Sequence, residues 1–304
     1  RPAVYVIGSE LEALRIEIMQ GAVAQAWPQV EARLATIESW WRQHRAGRSV
    51  PEAPDPAFLA RAYISALDIA TDAYYAREDW EAALPCLDAM LEVERALQCP
   101  AEDIAGDRMN RANVLGHLGR FGEAQAELEA CLQVFQHDPA QCARVLGSLA
   151  NLFDEQGDVA EAIRQERRAL ALCEQLPDPR DRAISHNNLA LYLERRATSA
   201  ALAEAPRHRL ADLIYCLVAG LGQDMQTSRR NYARTFRRDR EHEAGTRYAV
   251  PHVAEVMAAI PSLAAWLASR QVDVDELQAA VDEWLEQVRQ AAIAETTNEQ
   301  GETV

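Results

Sequence analysis

The chain has 304 residues, 49% of them apolar, and 47 acidic residues outnumber 31 arginines, so the formal net charge is −16; there is no lysine. A chain this acidic does not attract nucleic acid over its whole surface, so any phosphate binding must be local. No apolar run reaches the roughly 18 residues that a membrane-spanning helix needs, which excludes a transmembrane helix.

Residues 1–47 predict a degenerate N-terminal helical hairpin. Apolar residues recur at helical spacing over 9–20 and 23–43, and Gly21 separates the two segments. Residues 48–56 end with three prolines in six positions, which predicts an extended linker.

Three clearer hairpins follow, at 56–76 with 80–98, 102–118 with 121–136, and 139–156 with 159–175. In the last two, a glycine (Gly119 or Gly157) ends the first helix. A small residue lies seven positions before that glycine, and an alanine lies five positions after it. This pattern is typical of two antiparallel helices packed closely together, so the fold is predicted to be all-α.

The turns between paired helices recur along the chain. They align at Gly21, Glu78, Gly119, Gly157 and, weakly, Ala197, with intervals of 57, 41, 38 and 40 residues. Each hairpin leaves an apolar side that only a neighbouring hairpin can cover, so the hairpins are predicted to stack.

A fifth hairpin begins within 185–193. Its turn is predicted to be replaced by an insertion over 196–207, and its second helix is placed at 210–221. The repeat array therefore spans 57–222. A charged helix and a C-terminal helical cap are predicted over 223–293, and a flexible tail over 294–304, because that tail has no apolar face.

The best repeat positions resemble the tetratricopeptide repeat (TPR) family. They are Ala112, Leu115, Gly119, Ala124, Leu128 and Leu132, then Leu149, Ala150, Phe153, Gly157, Ala162, Ala169 and Leu170. Residues 182–193 are similar to the longer repeats of kinesin light chain. The resemblance implies a right-handed superhelical solenoid of antiparallel helix pairs. Arg111 and Glu166 depart from it, because they replace an expected apolar and an expected aromatic residue.

The segment from 188 to 293 is more loosely similar to the C-terminal repeat regions of large bacterial regulatory proteins. There, such arrays follow an NTPase-like or protease-like domain. The chain also begins at Arg1 rather than methionine, which suggests trimming or a piece of a longer polypeptide. This likeness implies a sensor that controls an effector domain in cis or in trans.

A stacked array offers a partner its concave groove, which the first helices line. Asn113 and Asn151 share one register there, and an asparagine amide can bracket the backbone of an extended peptide. An equally open interpretation is that these amides bond neighbouring helices within the stack. The candidate groove residues are Asn110, Asn113, His117, Arg144, Asn151, Asp154, Glu155, Asn187, Asn188 and Arg195.

Charge in this groove is mixed, with Asp68, Asp72 and Glu194 alongside two arginines, Arg144 and Arg195. Because the groove has so few cationic side chains, we do not expect it to bind the acidic C-terminal tail of a partner. A partner with basic or mixed polar groups is expected.

A second candidate site is an arginine-rich segment that contains two aromatic residues. Arginine beside aromatic rings can hold phosphates and stack on bases. A solvated or internally paired helix and a protein-binding surface remain alternatives, and nucleic acid is the least favoured of the three. The residues are Arg229, Arg230, Tyr232, Arg234, Phe236, Arg237 and Arg238, with Arg240 beyond them.

The sequence contains no recognisable catalytic arrangement. His242 and Glu243 begin a zinc-protease-like string, but Thr246 stands where the second histidine would be needed. The six cysteines form no Cys-x-x-Cys pair and are typical of core residues in a reducing cytoplasm. We therefore expect a non-enzymatic, cytoplasmic, bacterial scaffold without metal or cofactor. Its predicted function is to bind a peptide or protein, with the regulatory sensor and nucleic-acid binding as alternatives.

Overall fold

The computed structural model describes residues 2–241 and 249–301, with side chains over 2–236 and 249–292. These residues form helices and no strand, so the predicted all-α fold is confirmed. The helices are α1 Ala3–Met19, α2 Val23–Arg45, α3 Pro56–Tyr75, α4 Trp80–Leu97, α5 Ala101–His117, α6 Phe121–Val134, α7 Pro139–Glu155, α8 Val159–Cys173, α9 Pro179–Arg196, α10 Ser199–Ala219, α11 Gly222–Glu241, α12 Val253–Ala259, α13 Pro261–Ser269 and α14 Val274–Gly301.

All five turn positions aligned in the sequence have a left-handed backbone. The angle φ is +71° at Gly119 and +85° at Gly157, a region that glycine adopts without strain and that commonly ends a helix. Gly21, Glu78 and Ala197 have φ values of +87°, +55° and +51°. The repeat register inferred from the sequence is therefore the register of the structure.

Aspartate caps start several of these helices. The Asp55 carboxylate accepts hydrogen bonds from the amides of Ala57 and Phe58 at 2.9 and 3.1 Å. Such a cap satisfies amides that have no partner inside the helix, and a proline directly after it fits the first helical position. The Asp-Pro pairs that start helices in this way lie at 55–56, 138–139 and 178–179.

The chain forms two compact units, Arg1–Gln136 and His137–Val304. In the first unit, α1 pairs with α2, α3 with α4, and α5 with α6, while α2 packs on α3 and α4 on α5. Ala66, Ala83 and Ala112 are fully buried at these helix contacts. Because alanine ends at its Cβ atom, the helix backbones can approach closely there.

The connection between α2 and α3 also packs on the first unit. Val50 and Ala53 are buried, and the amide of Val4 donates to the carbonyl of Glu52 at 3.1 Å. The proline-rich segment is therefore non-helical and lies against the start of α1. It is not extended throughout as predicted, because the Ala53 amide donates to the Val50 carbonyl at 3.0 Å and closes a turn.

In the second unit, α7 pairs with α8, α8 packs on α9, and α9 pairs with α10. Ala150, Ala162, Leu189 and Tyr192 belong to one buried cluster, so the α7–α8 hairpin covers the apolar side of the next hairpin. A larger cluster surrounds α10 and joins it to α11, α12, α13 and α14.

The predicted insertion over 196–207 is wrong, because α10 already begins at Ser199. The turn is short: Ala197 takes the left-handed conformation, and the Thr198 hydroxyl accepts from the amide of Ala201 at 3.3 Å. Ala201 and Ala205 are buried and extend the apolar face of α10 toward its N-terminus. Pro206, which lies inside α10, and the polar residues Arg207 to Arg209 that follow it hid the helix in the sequence.

The C-terminal helices continue past the segment with repeat periodicity. Helix α14 extends to Gly301, into the segment predicted as a flexible tail, and the zinc-protease-like residues His242, Glu243 and Thr246 lie outside the described residues. No helix in the described part of the chain combines the length and apolar character needed to cross a bilayer.

We expect Ala124→Leu to lower the free energy of unfolding by about 1–3 kcal/mol, because Ala124 of α6 is fully buried and a larger side chain would overpack the contact. Ala126→Leu, on the exposed side of the same helix, should change it by less than about 0.5 kcal/mol. Urea unfolding followed by circular dichroism measures both, and equal effects would contradict close packing at this position.

Candidate functional site

In the first unit, α5 presents the exposed residues Asn113 and His117. Asn113 lies between buried Ala112 and Val114, so packing fixes the direction of its side chain. The imidazole ring of His117 stacks on the indole of Trp80 with ring centroids 4.1 Å apart. An amide and an aromatic-backed imidazole therefore lie one helical turn apart on this surface.

The third candidate on α5, Asn110, is exposed but bonded within the unit. Its amide donates to the Asp107 carboxylate at 3.4 Å, and its backbone carbonyl accepts from the Tyr75 hydroxyl at 3.3 Å. The Tyr75 contact joins α3 to α5, and the Asp107 contact leaves the Asn110 amide less available than that of Asn113.

In the second unit, Asn151 and Glu155 of α7 are exposed in the register of Asn113 and His117. The Asn151 side-chain oxygen accepts a hydrogen bond from the Tyr192 hydroxyl, and Arg195 pairs with Asp154. Both contacts run from α9 to α7, so here the amide ladder takes part in bonding within the stack.

The other second-unit candidates differ in exposure. Arg144 is exposed and donates to Gln141 at 3.1 Å. Asn187 is partly buried, and its side-chain oxygen accepts from Asn231 of α11 at 2.7 Å. Asn188 bonds the Glu166 carboxylate. The sequence predicted Asn187 and Asn188 to lie on a binding surface. In the structure, both side chains are hydrogen-bonded to residues of neighbouring helices.

Glu166 is almost fully buried between α8 and α9, at the position where an aromatic residue was expected. Burial raises the pKa of its carboxyl to about 7 from an ordinary value of 4.5, and hydrogen bonds from Ser185 and Asn188 oppose part of this rise. The Ser185 hydroxyl lies 2.6 Å from the carboxylate. The pair of hairpins thus contains a titratable group near neutral pH.

Carboxyl groups gather on α3, α4 and α5 in the first unit. Burial raises the pKa values of Asp72 and Asp107 and raises the pKa of Glu94 to about 8, and neighbouring carboxylates add to each rise. Arg15 compensates in part, at 2.7 Å from Asp68 and 3.5 Å from Asp72. This surface therefore suits a cationic or uncharged hydrogen-bond donor better than an anion.

Helix α11 carries the arginine-rich segment, with Arg229, Arg230 and Arg234 exposed. Its two aromatics point inward: Tyr232 is fully buried, and Phe236 is 9% exposed. The predicted stacking of bases on these rings is therefore corrected, because both belong to the core cluster around α10 and α14. The side chains of Arg237, Arg238 and Arg240 lie outside the described residues.

A candidate residue that the sequence did not indicate is Arg209 of α10, which lies between the insertion predicted over 196–207 and the helix predicted over 210–221. Its side chain is 2% exposed and contacts the Glu194 carboxylate at 2.8 and 2.9 Å. With Arg195 of α9 and Arg234 of α11, it lines a cleft of about 210 Å³. An arginine directly before the apolar run that starts at Leu210 is a sequence signal that could have indicated a buried ion pair.

No metal site is evident in the part of the chain that the structure describes, where no three His, Cys, Asp or Glu side chains come together as ligands. All six cysteines are free thiols, and four of them are buried. Burial raises the pKa of Cys86 to about 11, so this thiol stays protonated and unreactive near neutral pH.

Comparison with known families supports the helical-repeat fold. Residues 107–175, which extend from α5 to just beyond α8, match the family model described as tetratricopeptide repeat. No curated protein matches the chain.

Solved structures share the fold at low sequence identity. Two structures of nearly identical TPR-like repeats of a kinesin light chain from Podosopora anserina are 17% and 18% identical, with TM-scores of 0.53 and 0.50. They cover 73% and 71% of this chain and 100% and 96% of their own. BtubC (BKLC) from P. vanneervenii is 18% identical over 69% of this chain and 92% of its own, with a TM-score of 0.42. At these identities the first two matches establish the fold alone.

We expect stability to depend on pH through Glu166. Its pKa in the folded state is above the value in the unfolded state. Its contribution to the free energy of unfolding is therefore full below pH 4.5, falls as the pH rises to about 7, and is constant above that. The rise from 4.5 to about 7 corresponds to roughly 3 kcal/mol. Chemical unfolding at pH 4.5, 6 and 8 measures the free energy of unfolding. This free energy should decline less with rising pH for Glu166→Gln than for the wild type.

The exposed carboxylate of Glu283 on α14 provides the control, since Glu283→Gln should leave the pH dependence unchanged. An identical decline in wild type and Glu166→Gln would show that this carboxyl does not titrate in the assigned range.

Proposed function

Because residues 107–175 of this chain are tetratricopeptide repeats, we propose that it is a non-enzymatic module that binds a peptide or protein along its first helices. Tetratricopeptide repeats generally mediate protein–protein interaction, and their solenoid fold is typically a scaffold. The proposal extends this to a particular surface, the concave groove predicted from the sequence, and to particular side chains.

The observation that carries the proposal is the exposed polar register of the first helices. Asn113 and His117 of α5 and Asn151 and Glu155 of α7 occupy equivalent positions, six and two residues before the turn glycine, and all four are exposed. Ala112 and Ala150, which directly precede the two asparagines, are buried. Asn113 thus offers a donor and an acceptor for a partner backbone, whereas Asn151 offers its amide donor while its oxygen accepts from Tyr192.

The charge of this surface favours a partner with basic or mixed polar groups. The acidic cluster on α3 to α5 already raises the pKa values of its own carboxyl groups, so an added anion would increase the repulsion. A cation there would instead stabilise the ionised carboxylates.

We expect Asn113→Ala combined with Asn151→Ala to reduce partner capture from an extract of the source organism at least about tenfold, since two anchoring amides are lost. Quantitative mass spectrometry of the captured proteins measures this. The matched control, Gln133→Ala with Arg164→Ala, changes exposed residues on the second helices α6 and α8 and should capture as the wild type does.

Tyr192→Phe separates the loss of partner binding from a loss of stability. It removes the hydroxyl that bonds Asn151 within the stack, and it keeps the amide groups of Asn113 and Asn151. It should retain capture. Unchanged capture by the double asparagine variant, with unchanged circular dichroism, would show that the binding surface lies elsewhere.

A second candidate, a regulatory sensor that acts on an effector domain in cis or in trans, is favoured by the contacts between α7 and α9. A partner that bonds Asn151 or Asp154 would compete with Tyr192 and Arg195, and so would loosen one hairpin from the next. For a sensor, we expect amide hydrogen exchange in α7 and α9 to change when the partner is bound. For a plain adaptor, exchange of the buried amides linking these helices would stay the same.

A further inference from the structure

A small cleft in the second unit is lined by side chains from three helices. Glu194 and Arg195 come from α9, Arg209 from α10, and Asn231 and Arg234 from α11, around a volume of about 210 Å³. The cleft thus joins a residue of the candidate groove, Arg195, to a residue of the arginine-rich helix, Arg234. The sequence had assigned these two residues to separate sites.

The charges at this cleft do not cancel. Arg209 neutralises Glu194, with two guanidinium nitrogens 2.8 and 2.9 Å from one carboxylate oxygen. Arg195 pairs with Asp154. Arg234 is exposed and makes no ion pair with any residue in the described part of the chain. Among the described residues that line the cleft, the guanidinium group of Arg234 is thus not neutralised by an ion pair, in a chain whose net charge is −16.

The floor of the cleft is held in place before any ligand binds. Arg209 is 2% exposed and also donates to Asn187 at 3.4 Å, and Asn231 donates to the same oxygen at 2.7 Å. Side chains fixed in this way lose little conformational entropy on binding. The guanidinium groups of Arg195 and Arg234, in contrast, are accessible from solvent.

The size of the cleft limits its ligand. Its volume of about 210 Å³ lies below the roughly 300–1,000 Å³ of pockets for drug-sized molecules. It fits one carboxylate or phosphate group with its stem. Arginine forks match the geometry of either oxyanion.

We propose that this cleft binds a single oxyanion carried by a polypeptide partner, either a side-chain carboxylate or a phosphate. Arg195 and Arg234 bond the oxyanion, and the fixed Arg209–Glu194 pair positions them. This proposal rests on the proposed function, because the oxyanion is assumed to belong to the polypeptide partner of the interaction module. A nucleic acid is less well suited, because Tyr232 and Phe236, which would stack on bases, are buried.

The test uses the full chain with sodium acetate and sodium phosphate as separate probes, at constant ionic strength maintained with sodium chloride. NMR spectra of the arginine Nε–Hε groups report binding directly. We expect saturable shifts of the Arg195 and Arg234 signals with at least one probe, and the probe that binds more tightly identifies carboxylate or phosphate as the preferred source.

Arg234→Gln should weaken this binding about tenfold or more, as expected when a hydrogen bond to a charged group is lost. Arg229→Gln, an exposed arginine on the same helix outside the cleft, is the matched control and should bind as the wild type does. Shifts that chloride reproduces, or that Arg234→Gln leaves unchanged, would overturn the proposal. Retention of single-stranded RNA at physiological salt through Arg234, without saturable acetate or phosphate binding, would also overturn it.

This readout needs no protein partner, so its failure is distinct from failure of the proposed function. If the double asparagine variant loses capture and the wild type binds neither acetate nor phosphate, the result supports the proposed interaction module and contradicts the proposed oxyanion site. If acetate or phosphate binds saturably and that variant still captures the partner, the result supports the cleft as an oxyanion site and contradicts the role assigned to Asn113 and Asn151.

Discussion

Close approach of helices across alanine is the constraint on which the two units depend. Ala112 of α5 and Ala150 of α7 are fully buried at equivalent positions, seven residues before their turn glycines. Because consecutive residues of a helix point about 100° apart, the residue after each of these two alanines lies off the packed strip. Asn113 and Asn151 are therefore exposed in the same register.

Polar and charged residues inside the stack explain where this chain departs from the repeat pattern. Arg111 replaces an apolar residue, and it contacts Asp88 of α4 at 2.6 Å and Glu127 of α6 at 3.2 Å. Glu166 replaces an aromatic residue, and Ser185 and Asn188 of the next hairpin bond it. Burying such groups costs free energy unless each has its partner, so these contacts favour one alignment of the helices over others.

Electrostatic character differs between regions of the chain. Burial, together with repulsion from neighbouring carboxylates, raises the pKa values of Asp72 and Asp107 on α3 and α5, whereas the cleft of the second unit has an excess of guanidinium groups. The acidic cluster lies in the first unit and the cleft in the second, so the two regions favour bound groups of opposite charge.

The sequence by itself determined the helical class, the turn positions and the repeat register, because these follow from local properties: helical periodicity, aspartate caps and left-handed turn residues. It also identified Asn113 and Asn151 as equivalent residues. It could not determine that α10 begins at Ser199, that Tyr232 and Phe236 face inward, or that Arg209 meets Arg195 and Arg234. Those outcomes depend on which faces of α9, α10, α11 and α14 cover one another, and several faces of similar polarity compete for that role until the helices pack.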